Sequence, residues 1–305
     1  MKLRCSFCGK TQDQVRRLIA LRDEVPVDDP RAANLLGLIA TPATLAALLA
    51  AQPIEMDLVE RIAPEVGTAA IPLLLDGLAA SEERGVRRRL LEVLAGFGNS
   101  VTPCALERIE DAPWFVQRNL LRMLQTVPDP PAEAVTVGFA RHPDSRVRIE
   151  GLRLLLRIPG ARARGIAEGL TESDPACLRV AVMAAGEDCP SSAVPLLIGG
   201  LLAGSYDAEL RPVAIRALAP LVDNPAVLDL LRRFAARSIP LFGWRVAPKT
   251  RESLAALSGL ARHWRWHPKV GRLLARAERH RDADVRGAVI GQLVEELPRI
   301  EPAGE

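Results

Sequence analysis

Two cysteines near the start of the chain have the spacing of a metal-binding or redox pair. Cys5 and Cys8 are separated by two residues, and no further cysteine occurs before Cys104. Structural zinc takes four ligands, so this pair supplies half of such a site. Three interpretations stay open: the pair binds nothing, it belongs to a zinc site completed by a partner subunit or by the rest of the chain, or it is a redox pair. We expect no cofactor, with zinc as the one alternative.

No other group of residues predicts catalysis. His263 and His267 are four residues apart, a separation that can place two ligands on one helix face, but no H-E-x-x-H motif is present. The sequence has no P-loop and no G-x-G-x-x-G motif, and no order of Ser, His and Asp indicates a nucleophile. The remaining cysteines fall in helical patterns or adjoining turns, where they are typical small core residues: Cys104, Cys177 and Cys189. We therefore predict a protein that is not an enzyme.

Tryptophan and arginine cluster in one part of the chain. Three of the four tryptophans lie within 23 residues. Exposed Trp and Arg are enriched at binding hot spots, and they can also stack on bases while cations neutralise phosphates. We predict a partner-binding cluster of Trp244, Arg245, Trp264 and Trp266. Packing at a break in the repeat and contact with nucleic acid are the alternatives.

The elements that position these residues follow from a recurring apolar template. Its first residue recurs at steps of 30, 31, 31 and 32 residues, at Val86, Val116, Val147, Leu178 and Leu210. Each copy then has small or apolar residues at +4, +7, +8 and +11, which is one stripe of an α-helix. Other helical segments lie between the stripes, and recurrence near 31 residues is typical of a helical solenoid.

Several arginines fall in the helices that carry the stripes. Arg87, Arg118, Arg148 and Arg153 are candidates to line the concave face of a solenoid and to contact a partner there. The alternative is a solvated helix face. A local structural role also fits, since Asp at a helix start accepts backbone N–H groups and Arg one residue past the stripe could reach the acid of the next repeat.

The turns before the stripes resemble those of HEAT repeats. In that family an Asp, two variable residues, an apolar residue and an Arg open each second helix. The segments that match are Asp144–Arg148, Asp207–Arg211 and Asp282–Arg286. The resemblance covers about residues 30–297 and implies an all-α fold, an α–α superhelix or HEAT-repeat solenoid of seven to nine helix pairs. It implies no particular partner.

The pattern divides the chain into five segments. We predict an N-terminal segment at 1–29, a repeat array at 30–237, an insertion loop at 238–249, C-terminal helix pairs with a cap at 250–297, and a tail at 298–305. The loop is placed where Pro, Gly and aromatic residues interrupt the repeat.

The first segment resembles the opening of the ClpX-type zinc-binding domain over residues 4–20, from Cys5-Ser-Phe-Cys8 onward. In that family two C-x-x-C pairs bind zinc, and the domain dimerises and recruits adaptors to the Clp protease. Here Val27 and Pro30 stand near where the second pair belongs. The resemblance implies a partial zinc-binding, Clp-related adaptor.

Composition bounds the remaining possibilities. The chain has 305 residues, 49% of them apolar and 4% aromatic, which favours helix over sheet. Its net charge of +3 comes from 40 basic and 37 acidic residues, so charge alone requires no polyanionic partner. We expect no membrane span, no secretory signal, and a cytoplasmic protein with reduced thiols.

These observations lead to one expected function and its alternatives. We expect a non-catalytic scaffold or adaptor that binds a protein or peptide along its concave surface, in an oligomeric state that the sequence leaves open. The first alternative is a nucleic-acid-binding protein similar to HEAT-like alkylpurine DNA glycosylases. The HEAT-like phycobilin lyases are another, and rest on fold analogy alone.

Overall fold

The computed structural model describes residues 38–129, 131, 133–239 and 243–291, and these residues are almost entirely helical. The predicted segment at 1–29, with Cys5 and Cys8, and the tail at 298–305 lie outside them. The described residues fall into two units, one ending at Arg157 and the other beginning at Ile158.

The first unit consists of helices joined by short turns. They are α1 (Pro42–Leu49), α2 (Met56–Val66), α3 (Ala70–Ala80), α4 (Arg84–Ala95), α5 (Val101–Ile109), α6 (Trp114–Leu124), α7 (Glu133–Ala140) and α8 (Ser145–Leu156). Short 3₁₀ turns at Gly67–Ala69 and Gly98–Ser100 lead into α3 and α5.

The second unit adds one β-hairpin to the helices. Its elements are α9 (Arg162–Leu170), α10 (Pro175–Glu187), α11 (Val194–Ala203), α12 (Leu210–Leu218), α13 (Pro225–Ala235), β1 (Ala236–Ile239), β2 (Gly243–Val246), α14 (Arg251–His263), α15 (Pro268–Glu278) and α16 (Ala283–Ile290). A 3₁₀ turn at Ser191–Ala193 leads into α11.

Within each unit the helices form two rows. In the first unit α2, α4, α6 and α8 pack successively in one row, while α1, α3 and α5 pack in the other. In the second unit α10, α12, α14 and α16 form one row, and α9 packs against α11. Many helices therefore contact a neighbour in sequence and the next helix but one, which is the packing expected of a chain built from helix pairs.

Polar bonds inside the first unit repeat nearly the same sequence separation. Arg89 forms a bidentate pair with Glu60 at 2.6 and 2.8 Å, 29 residues apart. The hydrogen bond from Arg89 lowers the pKa of Glu60. Other bonds span 30 or 32 residues and join Arg108 to Asp76, Asn99 to Asp129, and Arg157 to Val127. These separations match the period of the apolar stripe.

The predicted stripe is the core in most repeats. Leu90, Leu120 and Leu155 are buried, as is nearly every residue of the second, third and fifth copies. The fourth copy was assigned one residue too late. Cys177, Ala181 and Ala184 are buried in α10 together with Val182 and Ala185 of the predicted stripe, while Leu178 is only half-buried. The placement was wrong because Cys and Leu are both apolar and adjacent, so periodicity alone did not separate them.

A glycine in the third copy allows two helices to approach closely. A Cβ on Gly151 of α8 would lie 2.5 Å from the backbone carbon of Phe139 in α7. Real Cβ contacts are never this short, so only glycine fits. Here the stripe position at +4 is filled by close backbone packing instead of a side chain.

Helix α16 ends at Ile290, where Gly291 has a φ of 77° and closes the helix. Residues 292–297 of the predicted C-terminal segment lie outside the described residues. In the described part of the chain one run, Met56–Ala80, is long and apolar enough to cross a membrane by length and composition alone, and 39% of its most apolar window is buried. Gly67, with a φ of 68°, divides this run into two helices that contribute to the core. Core helices pass the same test, so we assign no membrane span.

Candidate partner-binding surface

The segment predicted as an insertion loop is a β-hairpin. Strand β1 pairs antiparallel with β2, so that Arg237 lies opposite Arg245 and Ser238 lies opposite Trp244. The predicted insertion at 238–249 therefore contains regular structure, since it includes the end of β1 and all of β2, which begins at Gly243. Successive side chains on a strand point to opposite faces, so Trp244 and Arg245 are presented on different sides of the hairpin.

Trp244 is exposed but held in place. Its side chain is 47% exposed. The guanidinium of Arg232 in α13 lies 5.0 Å from its ring centroid, within the range of a cation–π contact. Arg276 of α15 donates a hydrogen bond to the Trp244 carbonyl. Side chains from two helices thus fix the strand that carries this tryptophan.

Trp264 is a core residue, and its prediction as a partner-binding residue is corrected. Its side chain is 2% exposed, and its Nε1 donates to the carbonyl of Ala219 at 2.8 Å. Helix α14 lies close to the end of α12 here, since a Cβ on Gly259 of α14 would lie 2.6 Å from the Cβ of Ala219, which caps α12. The indole therefore packs where α14 meets the end of α12.

Trp266 shows the opposite behaviour. It is 67% exposed, and its ring stacks on that of Trp264 at 6.3 Å with an interplanar angle of 14°. Its Nε1 donates to the His263 carbonyl at 3.0 Å, and the ring of His267 lies 5.6 Å away. A buried indole therefore supports an exposed one.

The two histidines of this region have structural surroundings. His267 caps α15 by accepting a hydrogen bond from the Lys269 amide through Nδ1. Burial, and then the charge of Arg262, lowers the pKa of His263. Among the residues that the structure describes, no group of three or more His, Cys, Asp or Glu side chains could hold a metal ion.

Two of the arginines predicted to contact a partner act instead on their own turn. Arg87 donates from Nη1 to the carbonyls of Ser81 and Glu82, at 3.0 and 2.7 Å. Arg148 donates in the same way to His142 and Pro143, at 2.9 and 3.0 Å. The prediction is corrected because these guanidiniums satisfy carbonyls of the turn before their helix.

The same contact recurs elsewhere in the array. Arg286 donates to the carbonyls of His280 and Arg281. Gln117, which replaces Arg in the second repeat, donates to the carbonyls of Ile109 and Glu110. The side chain after the first stripe residue therefore bonds two successive carbonyls in four repeats. The expected reach to the acid of the next repeat occurs at Arg179, which pairs with Asp207 and Glu209.

The remaining predicted arginines differ from each other. Arg153 pairs with Glu150 at 3.0 Å, and this buried carboxylate also accepts a hydrogen bond from Gln125 at 2.7 Å. Arg153 therefore serves the packing of α8 against the end of α6. Arg118 is half-buried in α6.

Sequence analysis missed a basic surface of the second unit. One depression of about 730 Å³ lies between the hairpin and the turn after α15, and an adjoining one of about 670 Å³ lies between β2 and α15. We call their six arginines the arginine surface: Arg237, Arg245, Arg272, Arg276, Arg279 and Arg281. Part of the signal was present in the sequence, since Arg272, Arg276 and Arg279 follow helical i, i+4, i+7 spacing.

Comparison with known proteins bears on the first residues of the chain. Residues 3–26 match the model of the ClpX C4-type zinc finger. The match ends before Val27 and Pro30, so the chain offers only Cys5 and Cys8 as thiolate ligands in this segment. This donor set does not fit a four-thiolate zinc site.

No curated protein matches the chain. Among solved structures, a crystal structure of an engineered protein is similar at 16% identity, with 90% of this chain and 97% of that chain covered. Its TM-score of 0.32 is too low to assign a shared fold.

Proposed function

We propose that this protein is a non-catalytic scaffold of the HEAT-repeat type that binds a protein or peptide partner. The described helices group into eight consecutive pairs, in line with an α–α superhelix of seven to nine pairs. Aspartate caps at the starts of α8, α10 and α16 and the recurring contact with turn carbonyls support the same architecture. Such arrays offer long surfaces for macromolecular partners.

The observation that carries the proposal is the pair of exposed, supported tryptophans in the second unit. Trp266 lies two residues before Pro268, the first residue of α15, while Trp244 is bonded through its carbonyl to Arg276, near the end of that helix. With a rise of 1.5 Å per residue, Pro268 and Arg276 are about 12 Å apart along α15, so the tryptophans are associated with its two ends. Rigid, exposed tryptophans are typical anchors of protein interfaces, because they bury a large area at low entropic cost.

The match over residues 3–26 favours one class of partner. It supports an association with Clp-type protein quality control, as an adaptor that does not depend on a zinc site of its own. The cytoplasmic location expected from the sequence is part of this proposal.

The experiment is capture of partners by the full-length protein from the lysate of its own host, after nuclease treatment and at low and high salt. The test variant combines Trp244→Ala and Trp266→Ala. The control is Trp114→Ala, which removes a partly exposed tryptophan of the first unit that lies 3.4 Å beneath Arg146. We expect the wild type and the control to capture the same protein in similar amounts. The double variant should capture at least about tenfold less of it.

Melting temperatures separate binding from folding. The double variant should melt within a few degrees of the wild type, because both side chains are largely outside the core. Equal capture by the double variant, or a loss of stability that parallels the loss of capture, would contradict the proposal.

A further inference from the structure

Most of the positive charge of the arginine surface has no acidic partner among the residues that the structure describes. Among the residues lining the two depressions, Asp282 is the one acid, and together with Asp284 it pairs with Lys249. Glu278 of α15 pairs with Arg265 at 2.9 Å. In the described part of the chain, five of the six arginines form no ion pair with an acidic side chain: Arg237, Arg272, Arg276, Arg279 and Arg281.

The arginines of the surface are also close neighbours of one another. Arg237 and Arg245 are direct cross-strand partners, a position in which like charges repel. Arg272 and Arg276 lie four residues apart on α15, where like charges also repel, and Arg279 follows as the C-cap of that helix. The whole chain carries a net charge of only +3, so this density of charge is a local property of the second unit.

The lining of the surface discriminates between anionic partners. Among the described residues its apolar side chains are small, being Val246, Ala247, Pro248 and Ala275, and its one aromatic ring is His280, whose Nδ1 accepts the Asp282 amide. A peptide bound here would gain little binding free energy. Exposed ion pairs contribute about 0–1 kcal/mol each, and the described lining residues form no pocket for a large apolar side chain. A nucleic-acid backbone gains affinity from the release of its counterions, which needs clustered cations and no apolar core.

We infer that the arginine surface binds the phosphate backbone of double-stranded nucleic acid without sequence preference. Guanidinium groups bind phosphate oxygens in bidentate geometry, which favours arginine at such a site. Base stacking is not required, because no Trp, Tyr or Phe is among the described residues that line the surface. The site is separate from the tryptophans of the proposed scaffold function, and it does not depend on that function.

The test is a titration of the full-length protein against labelled 30-base-pair DNA duplexes of two unrelated sequences, followed by fluorescence anisotropy from 50 to 300 mM salt. The test variant changes Arg272, Arg279 and Arg281 to Gln. The control variant changes three exposed arginines outside the surface, Arg84, Arg122 and Arg233, to Gln. Arg276 is left unchanged because it bonds the Trp244 carbonyl.

We expect equal binding of both duplexes and a steep loss of affinity with salt. Each phosphate contact contributes about 0.9 to the slope of log K against log salt, so the test variant should lower the slope by about 2 to 3. The control variant should keep the slope and affinity of the wild type. In the wild type, hydrogen exchange should slow across residues 268–282 when duplex is added, a readout that requires no variant.

Several outcomes would overturn the inference. They are an unchanged slope in the test variant, an equal loss in the control, or tighter binding to a poly-glutamate peptide or to phosphatidylserine vesicles than to the duplexes. The Trp244→Ala, Trp266→Ala variant should bind duplex as the wild type does. Failure of the scaffold proposal therefore leaves this result unaffected, and the reverse also holds.

Discussion

Arg237 and Arg245 lie directly opposite each other in the two-stranded hairpin of the second unit. Neither position needs a cation for the hairpin to form, because strand pairing is made by the backbone. Two like charges facing each other across a hairpin repel and lower its stability. The most direct check is to measure that cost.

Changing Arg237 or Arg245 to Thr should raise the free energy of unfolding by about 0.2–1 kcal/mol, because each change removes the repulsion. The free energy of unfolding of the double variant should be little higher than that of either single variant, because one change already removes the repulsion. Urea unfolding of all four proteins gives the coupling free energy as a double-mutant cycle. The coupling should shrink at high salt, which screens exposed charges. Simple additivity of the two changes would show that the arginines do not repel each other.

Arg148 and Arg179 provide a second comparison. Arg148 donates to two carbonyls of the turn before α8, whereas Arg179 pairs with two exposed carboxylates. Changing Arg148 to Met should lower the free energy of unfolding by about 1–3 kcal/mol, because the carbonyls lose a charged donor. The same change at Arg179 should cost about 0–1 kcal/mol, as for other exposed ion pairs. Equal costs in urea unfolding would refute the structural role assigned to Arg148.

These two arginines also show how far the sequence determined the fold. The period of the stripe predicted the buried leucines, because one face of each helix must be apolar in a two-row array. It misplaced the fourth copy by one residue, so Arg179 was grouped with Arg148. Arg148 follows the first core residue of its helix by one position, whereas Arg179 follows Cys177 by two. Arg179 therefore points in another direction and pairs with the acids of the next repeat.

The candidate site was predictable only in part. Trp244 and Trp266 were identified from composition, but the same signal included Trp264, which is buried against Ala219. Burial of one indole beneath another depends on the close contact of α14 with the end of α12, which no local pattern encodes. The arginine surface combines a hairpin and a helix about 30 residues apart in sequence, so it exists only after folding.

Asp144 should titrate well below an ordinary carboxyl. Hydrogen bonds from the Arg146 side chain outweigh burial and, with the Arg146 amide, lower the pKa of Asp144 to about 2. A lowered pKa means that ionised Asp144 stabilises the fold fully above about pH 4, and that this contribution is lost as the pH falls toward 2. Nuclear magnetic resonance titration of the carboxyl carbon gives the pKa directly.

The matched variant for this prediction is Asp144→Asn, which can still cap α8 but carries no charge. Its melting temperature should lie below that of the wild type at pH 5, and the difference should narrow as the pH is lowered. Changing Arg146 to Gln should return the pKa of Asp144 toward its ordinary value. A carboxyl that titrates near pH 4 in the wild type would contradict the assigned hydrogen bonds.

Gly151 and Gly138 lie in adjacent helices and should respond in opposite directions to the same substitution. A Cβ at Gly151 would meet the backbone of Phe139 at 2.5 Å, whereas a Cβ at Gly138 meets nothing within 4 Å. Gly151→Ala should therefore lower the free energy of unfolding by about 1–3 kcal/mol, because α8 must move away from α7. Gly138→Ala should raise it by about 0.5–1 kcal/mol, since alanine loses less backbone entropy in a helix. Urea unfolding distinguishes the two signs, and stabilisation by both changes would show that α7 and α8 are not in close backbone contact.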